Sequence, residues 1–99
     1  MPAYSLTRLA ESDLRSIIQF TMKTWGMVQT KRYTHGLRNC FELLANNPAL
    51  GRSCDSISPG LHRFEHGRHV VFYLSQPEGL LIVRVLHQQM IPSKHYFER

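Results

Sequence analysis

The chain has 99 residues, of which 42% are hydrophobic, and a formal net charge of +5 at pH 7. This composition excludes a disordered chain, and the length excludes two domains with separate cores, so we expect one globular domain over residues 1–99. No apolar run approaches the roughly 20 residues of a membrane-spanning helix, and the start of the chain lacks the pattern of a secretory signal. We therefore expect a cytoplasmic protein without a membrane partner, whose positive surface attracts anions.

The N-terminal half predicts a short strand followed by two helices. Residues 3–6 alternate as an edge strand does, and Thr7 is a candidate N-cap for the helix that follows. Apolar residues then recur at helical spacing up to Gly26, where we expect the first helix to end. A second helical pattern begins around residues 27–28 and ends before Pro48. So short a connection implies an antiparallel helical hairpin.

The C-terminal half predicts three strands. Residues 60–88 contain three apolar runs of strand length, joined by turns at His66-Gly67 and at residues 76–79, which is typical of an antiparallel meander. We therefore predict an α+β fold of order β-α-α-β-β-β, with the hairpin packed on a small antiparallel sheet. Both faces of the meander are apolar, although such a sheet normally turns one face to water. We expect the C-terminal tail, a second copy or a partner chain to cover the face opposite the helices.

Several side chains are interpreted as interior residues. Trp25, Phe41 and Phe72 fall on predicted inward faces, so we read them as core anchors rather than base-stacking platforms, and we expect no direct DNA binding. Cys40 lies on the apolar side of the second helix. It is interpreted as a buried free thiol rather than as half of a disulfide with Cys54.

Six histidines raise the question of a metal site. His62, His66 and His69 surround the first hairpin turn, but a structural zinc site uses four converging ligands, usually with cysteine among them, and that spacing is missing. For His69 and His87, the simpler interpretation is a histidine with a satisfied hydrogen bond in partly apolar surroundings. We expect no metal and no cofactor.

Basic residues on and near the meander leave a phosphate-chemistry hypothesis open. Arginines could stabilise a charged transition state and a histidine could move protons. The sequence contains no glycine-rich phosphate loop, serine elbow or paired-carboxylate motif that would support it. The dispersed candidates are Arg52, Arg63, Arg68, Arg84 and His87.

Six short segments, taken together, resemble a known family. The segments are Asp13-Leu14, Thr24-Trp25-Gly26, NPALGR at residues 47–52, GLHR at 60–63, HVVFY at 69–73 and RVLH at 84–87. Their order and spacing resemble the ParE branch of the ParE/RelE toxin superfamily, the toxin halves of bacterial toxin–antitoxin modules, and the resemblance covers nearly the whole chain.

The resemblance implies a toxin that binds and inhibits DNA gyrase without catalysis of its own, and so blocks replication. It also implies a hetero-oligomer with a cognate antitoxin, typically a ribbon-helix-helix DNA-binding dimer whose acidic tail folds onto the toxin. RelE relatives instead cut messenger RNA on the ribosome. In that alternative the catalytic residues would be Arg63, Arg84, His87 and Tyr96.

The gyrase branch is favoured because Gln88-Gln89 stand where several of those nucleases have an aromatic proton donor, and because the meander has no lysine. A non-toxic module that only binds antitoxin is the third hypothesis. We expect the end of the last strand to contact the target, through Arg84, His87, Gln88, Gln89 and Met90. We expect the antitoxin on the open sheet face, at Arg52, Arg63, Phe64, Leu80, Ile82 and Arg84.

Overall fold

The computed structural model describes residues 3–90 and residue 97, which form a five-stranded sheet with two helices on one face. The strand order is β1-β5-β4-β3-β2; β1 runs parallel to β5 and the other neighbours are antiparallel. The predicted α+β order is confirmed, with one addition, a two-residue strand between the helical hairpin and the meander. The elements are β1 (Tyr4–Leu6), α1 (Arg8–Trp25), α2 (Met27–Asn46), a 3₁₀ turn (Pro48–Leu50), β2 (Arg52–Ser53), β3 (His62–His66), β4 (His69–Gln76) and β5 (Gly79–His87).

Thr7 begins α1 and fastens it to the sheet. Its hydroxyl oxygen accepts a hydrogen bond from the Ala10 N–H at 3.0 Å, and the hydroxyl donates to the Val83 carbonyl at 2.7 Å. The first bond satisfies one of the amides that a helix start leaves without a partner. The predicted N-cap is confirmed. The second bond fixes the start of α1 against the edge of β5.

Gly26 is the only residue between the two helices. Its φ of 85° lies in the left-handed region that glycine adopts without strain. Its N–H donates to the Met22 carbonyl, and its own carbonyl accepts from the N–H and the hydroxyl of Thr30. One residue therefore ends α1 and begins α2, as the sequence predicted.

The main core lies between the helices and one face of the sheet. Tyr73 is fully buried there, and its hydroxyl donates to the Pro48 carbonyl at 2.6 Å and accepts from the Gly51 N–H at 2.8 Å. These two bonds anchor the 3₁₀ turn to the middle of the sheet. The buried members are Ala10, Ile17, Leu37, Cys40, Phe41, Leu44, Ala45, Val71, Tyr73, Leu80, Ile82 and Val85.

A second, smaller core covers the opposite face of the sheet. Cys54, Ile57 and Leu61 fold beneath the strands from the segment between β2 and β3, and the Phe97 ring packs 4.8 Å from the Phe72 ring. The chain therefore covers this face with its own loop and one tail residue, rather than leaving it for a partner. The buried members are Cys54, Leu61, Val70, Phe72, Val83 and Leu86.

The interior predictions hold with one exception. Phe41 and Phe72 are each 1% exposed, and both cysteines are buried and free. Trp25, by contrast, is 56% exposed, so its prediction as a core anchor is wrong. It occupies the last position of α1, and the buried residues of that helix end at Thr21, one turn earlier. Within the described residues, neither helix is long and apolar enough to span a membrane.

Asp13 connects α1 to the edge of β5 beyond β1. Its carboxylate accepts from the Arg84 side chain at 2.8 and 2.7 Å, and from the Val85 backbone N–H at 3.0 Å. The side chains of Asp13 and Arg84 are each 13% exposed. A bidentate pair of this kind is strong and directional, so it sets the distance between α1 and β5.

We expect Asp13→Asn to lower the free energy of unfolding by about 3 kcal/mol, because it removes the charge that balances a nearly buried arginine. Urea unfolding measures this loss. Glu65→Gln is the matched control, since its pair with Arg52 is solvent-exposed and we expect a loss below about 1 kcal/mol. Equal losses in the two variants would contradict a special role for Asp13.

Candidate functional site

An open groove of about 790 Å³ lies between the helices and the C-terminal end of β5. We call it the α1–β5 groove. Its walls come from the second half of α1 and the first half of α2 on one side, and from the β3–β4 turn and the end of β5 on the other. The lining side chains include Asp13, Ile17, Phe20, Trp25, Tyr33, Arg68, His69, Val85, His87, Gln89 and Met90.

The rim of the groove is unusually apolar for an exposed surface. Phe20 is 62% exposed, Trp25 is 56% exposed and Met90 is 42% exposed. The guanidinium of Arg68 lies 5.7 Å from the centre of the Trp25 ring, a cation–π distance. Large apolar side chains grouped at a concave site mark an interaction surface more often than an inert one.

Three histidines lie in a row across the neighbouring strands β3, β4 and β5, beside this groove. His66 pairs with His69, and His69 pairs with His87, on neighbouring strands. The Tyr33 hydroxyl lies 2.6 Å from His69 Nδ1 and 3.2 Å from the His66 carbonyl, so its single proton can be donated to either. The prediction that His69 has a satisfied hydrogen bond is confirmed.

The electrostatics keep His69 uncharged. Burial, followed by the nearby His87, lowers the pKa of His69 to about 4. Burial also raises the pKa of the Tyr33 phenol, so both groups are neutral at pH 7. Within residues 3–90 and 97, no three histidine, cysteine or acidic side chains are arranged to hold a metal ion.

A β-bulge explains which residues of β5 reach the groove. Phe72 pairs with Arg84 while the next residue, Tyr73, pairs with Ile82, so Val83 is an extra residue on β5. The extra residue reverses the alternation of side chains along the rest of the strand. Val85 therefore joins Ile82 in the main core, and His87 lies on the helix side.

The residues predicted to contact a target separate into two groups. His87, Gln89 and Met90 line the groove, and Gln88 is exposed beside them, with its N–H bonded to the Arg68 carbonyl. Arg84 belongs to the nearly buried pair with Asp13 instead. The structure thus brings together four of the five residues at the end of β5.

The residues predicted to contact an antitoxin do not form one surface. Leu80 is 3% exposed and Ile82 is fully buried, both beneath the helices, so their placement on an open sheet face is wrong. Phe64 is partly buried on that same side. Arg52 and Arg63 lie on β2 and β3, where both face Glu65. The prediction places these three apolar residues on the sheet face opposite the helices, but they lie on the face that the helices cover.

The residues considered for RNA cleavage do not converge. Arg63 lies over the Phe72 ring in the second core, at 5.7 Å, whereas His87 contacts His69 on the helix side. These two candidates are therefore on opposite faces of the sheet. Arg84 is held by Asp13, and Tyr96 lies outside the described residues.

Sequence reasoning missed the helical wall of the groove. Phe20 and Tyr33 are not among the residues singled out from the sequence, and Trp25 is predicted to lie in the core. The available signal was the crowding of large apolar residues at positions 20–28, more than a single helix face can bury.

Comparisons with known proteins agree on one family. The family model described as the ParE toxin of the type II toxin–antitoxin system parDE matches residues 4–92. Toxin ParE1 of Mycobacterium tuberculosis is 39% identical over 88 residues, covering 88% of this chain and 90% of the relative. Toxin ParE1 of Caulobacter vibrioides is 35% identical over 95 residues, covering 96% and 98%. Toxin ParE of Escherichia coli is 36% identical over 91 residues, covering 91% and 88%.

A solved structure shares the fold. It is titled as the chromosomal ParDE TA system from P. aeruginosa, with a TM-score of 0.72 and 18% identity, covering 88% of this chain and 96% of the other. At that identity the likeness concerns the arrangement of helices and strands. The family match extends over most of the sequence, and the chain belongs to the ParE toxin family of type II toxin–antitoxin systems.

Proposed function

We propose that this ParE-family toxin inhibits DNA gyrase by binding, without catalysis of its own, and that an antitoxin neutralises it by occupying the α1–β5 groove. The observation that carries the proposal is the exposed apolar rim of the groove next to the exposed end of β5. The family match supports a toxin, and the solved neighbour belongs to a system named as ParDE toxin–antitoxin.

The geometry favours binding over cleavage of RNA. A cleavage site needs a cation and a proton-transfer group around one phosphate. Here Arg63 and His87 face opposite sides of the sheet, and Arg84 is occupied by Asp13. The pKa of His69 is lowered to about 4, so at pH 7 this side chain is a neutral imidazole and cannot act as a general acid. The RelE-type alternative therefore has no assembled site among these residues.

Charge favours an acidic antitoxin segment in the groove. The chain has a net charge of +5, and Arg68 lines the groove. Asp13, the one lining carboxylate among residues 3–90 and 97, is already balanced by Arg84. An amphipathic acidic segment can bury apolar side chains on Phe20 and Trp25 while its carboxylates face Arg68.

Neutralisation then follows from overlap between the two binding surfaces. Gln89 and Met90 line the groove, and they also belong to the segment that we propose contacts gyrase. An antitoxin in the groove covers them, so gyrase and antitoxin compete for the toxin. This arrangement requires no change in the shape of the toxin.

The gyrase assignment is tested with the purified chain in supercoiling and cleavage-complex assays. We expect inhibition by the native chain, and at least about tenfold weaker inhibition by Met90→Ala, because an exposed apolar contact at the interface is lost. Leu50→Ala is the control, since Leu50 is similarly exposed, at 49%, but lies in the 3₁₀ turn. An inactive native chain that cuts messenger RNA in cells would favour the nuclease instead.

The antitoxin groove is tested by Trp25→Ala and isothermal titration calorimetry. The titrant is the purified product of the reading frame next to this gene. We expect affinity to fall about 30-fold or more, as at a tryptophan hot spot, with little change in stability because Trp25 is exposed. The matched control is Val28→Ala, which is 72% exposed and outside the groove lining. Equal affinities for the two variants would exclude the groove.

Neutral His69 gives a pH prediction. Its pKa falls from 6.5 to about 4 on folding, so the unfolded chain binds the proton more tightly, and stability decreases as pH falls from 6.5 to 4. Relative to His69→Gln, which does not titrate, the native chain should lose up to about 3 kcal/mol over this range. Urea unfolding at several pH values measures the difference. Parallel pH curves for the two proteins would show that His69 titrates normally.

A further inference from the structure

The two strands at one side of the sheet differ greatly in length. β1 has three residues, Tyr4–Leu6, and pairs with β5 only from Leu80 to Ile82. β5 has nine residues and continues to His87. The second half of this strand is therefore not covered by β1.

Side chains of the Thr7–Asp13 region occupy the next part of the edge. The Thr7 hydroxyl donates to the Val83 carbonyl at 2.7 Å, and the Val85 N–H donates to the Asp13 carboxylate at 3.0 Å. Because the Val85 N–H points away from β4, its carbonyl and the His87 N–H point the same way, as alternate residues of an antiparallel strand do. Within residues 3–90 and 97, neither of these two groups has a recorded hydrogen-bond partner.

These two backbone groups belong to residues of the α1–β5 groove. Val85 and His87 both line it, across from Ile17 and Phe20 of α1. A carbonyl followed two residues later by an N–H is the pattern that one residue of an added parallel strand satisfies, in place of the water that an open groove admits. That residue donates its N–H to the Val85 carbonyl and accepts from the His87 N–H.

We propose that an extended acidic segment of the antitoxin adds to the sheet here, in line with β1, as a strand along the C-terminal half of β5. This inference rests on the proposed function and specifies how the groove is filled. Alternate side chains of the added strand point to the two sides of the sheet. Those on the helix side lie between Phe20 and the histidine row, within reach of the positive charge of Arg68.

Charge and the position of Phe97 favour an acidic segment over a second copy of the chain or the chain's own tail. A second copy brings another +5 to a chain that already carries +5 and whose groove contains Arg68, and this like charge opposes its approach. Phe97, the one residue of the C-terminal tail that the structure describes, packs against Phe72 on the opposite face of the sheet. An acidic segment from another protein has neither difficulty.

Amide hydrogen exchange of the ¹⁵N-labelled full chain tests the proposal. The probe is the purified antitoxin from the adjacent reading frame, with binding followed separately by calorimetry. In the free chain we expect fast exchange at the His87 amide and slow exchange at Gln88, whose N–H is bonded to the Arg68 carbonyl. Bound antitoxin should slow His87 exchange at least about tenfold, while Gln88 changes little.

A matched pair of variants gives an independent measurement. His87→Pro removes the backbone N–H, whereas His87→Ala removes the imidazole and keeps the N–H. We expect the proline variant to bind antitoxin at least about tenfold more weakly than the alanine variant. Equal affinities, with the same far-ultraviolet spectrum for both proteins, would overturn the added strand.

The outcomes separate this inference from the proposed function. Tight binding without slower His87 exchange would disprove the added strand and leave antitoxin neutralisation standing. No binding at all would remove the proposed function, and the added strand with it. Binding accompanied by slower His87 exchange would support both.

Discussion

The contact between Asp13 and the β5 edge is the constraint on which the rest of the architecture depends. One carboxylate receives the Arg84 side chain and the Val85 backbone N–H at once, so α1 is fixed to the strand rather than merely resting on it. Because Thr7 is bonded to the Val83 carbonyl, the start of the helix has a fixed position along β5. The groove exists because α1 runs on past this point while β1 has already ended.

Local chemistry made the order of elements predictable. Thr7 caps a helix through its side chain, and Gly26 and the turn glycines adopt a positive φ because they have none. Each of them lies at a boundary that the sequence predicted. The resemblance to ParE toxins rests in part on one of these boundaries, Thr24-Trp25-Gly26. The family match over residues 4–92 agrees with it.

The candidate site was harder to predict because it depends on a single extra residue. Simple alternation along the last strand puts Val83 and Val85 on one face, but the bulge at Val83 separates them. The same shift brings His87 to the helix side. A hairpin sequence shows where strands begin and end, but a bulge arises from how two strands pair, and one sequence does not reveal it. The second core was missed for a related reason, since Leu61 reaches it only after the loop folds under the sheet.

The one-residue junction at Gly26 also limits how the length of this fold can vary. Each residue of an α-helix advances the side chains by about 100°, so an insertion between α1 and α2 would have to be absorbed as a loop, or α2 would rotate about its own axis. Rotation would carry Tyr33 away from His69 and separate the two walls of the groove. Length changes among relatives that keep this groove should therefore accumulate elsewhere, as in the segment between β2 and β3, and spare the hairpin tip.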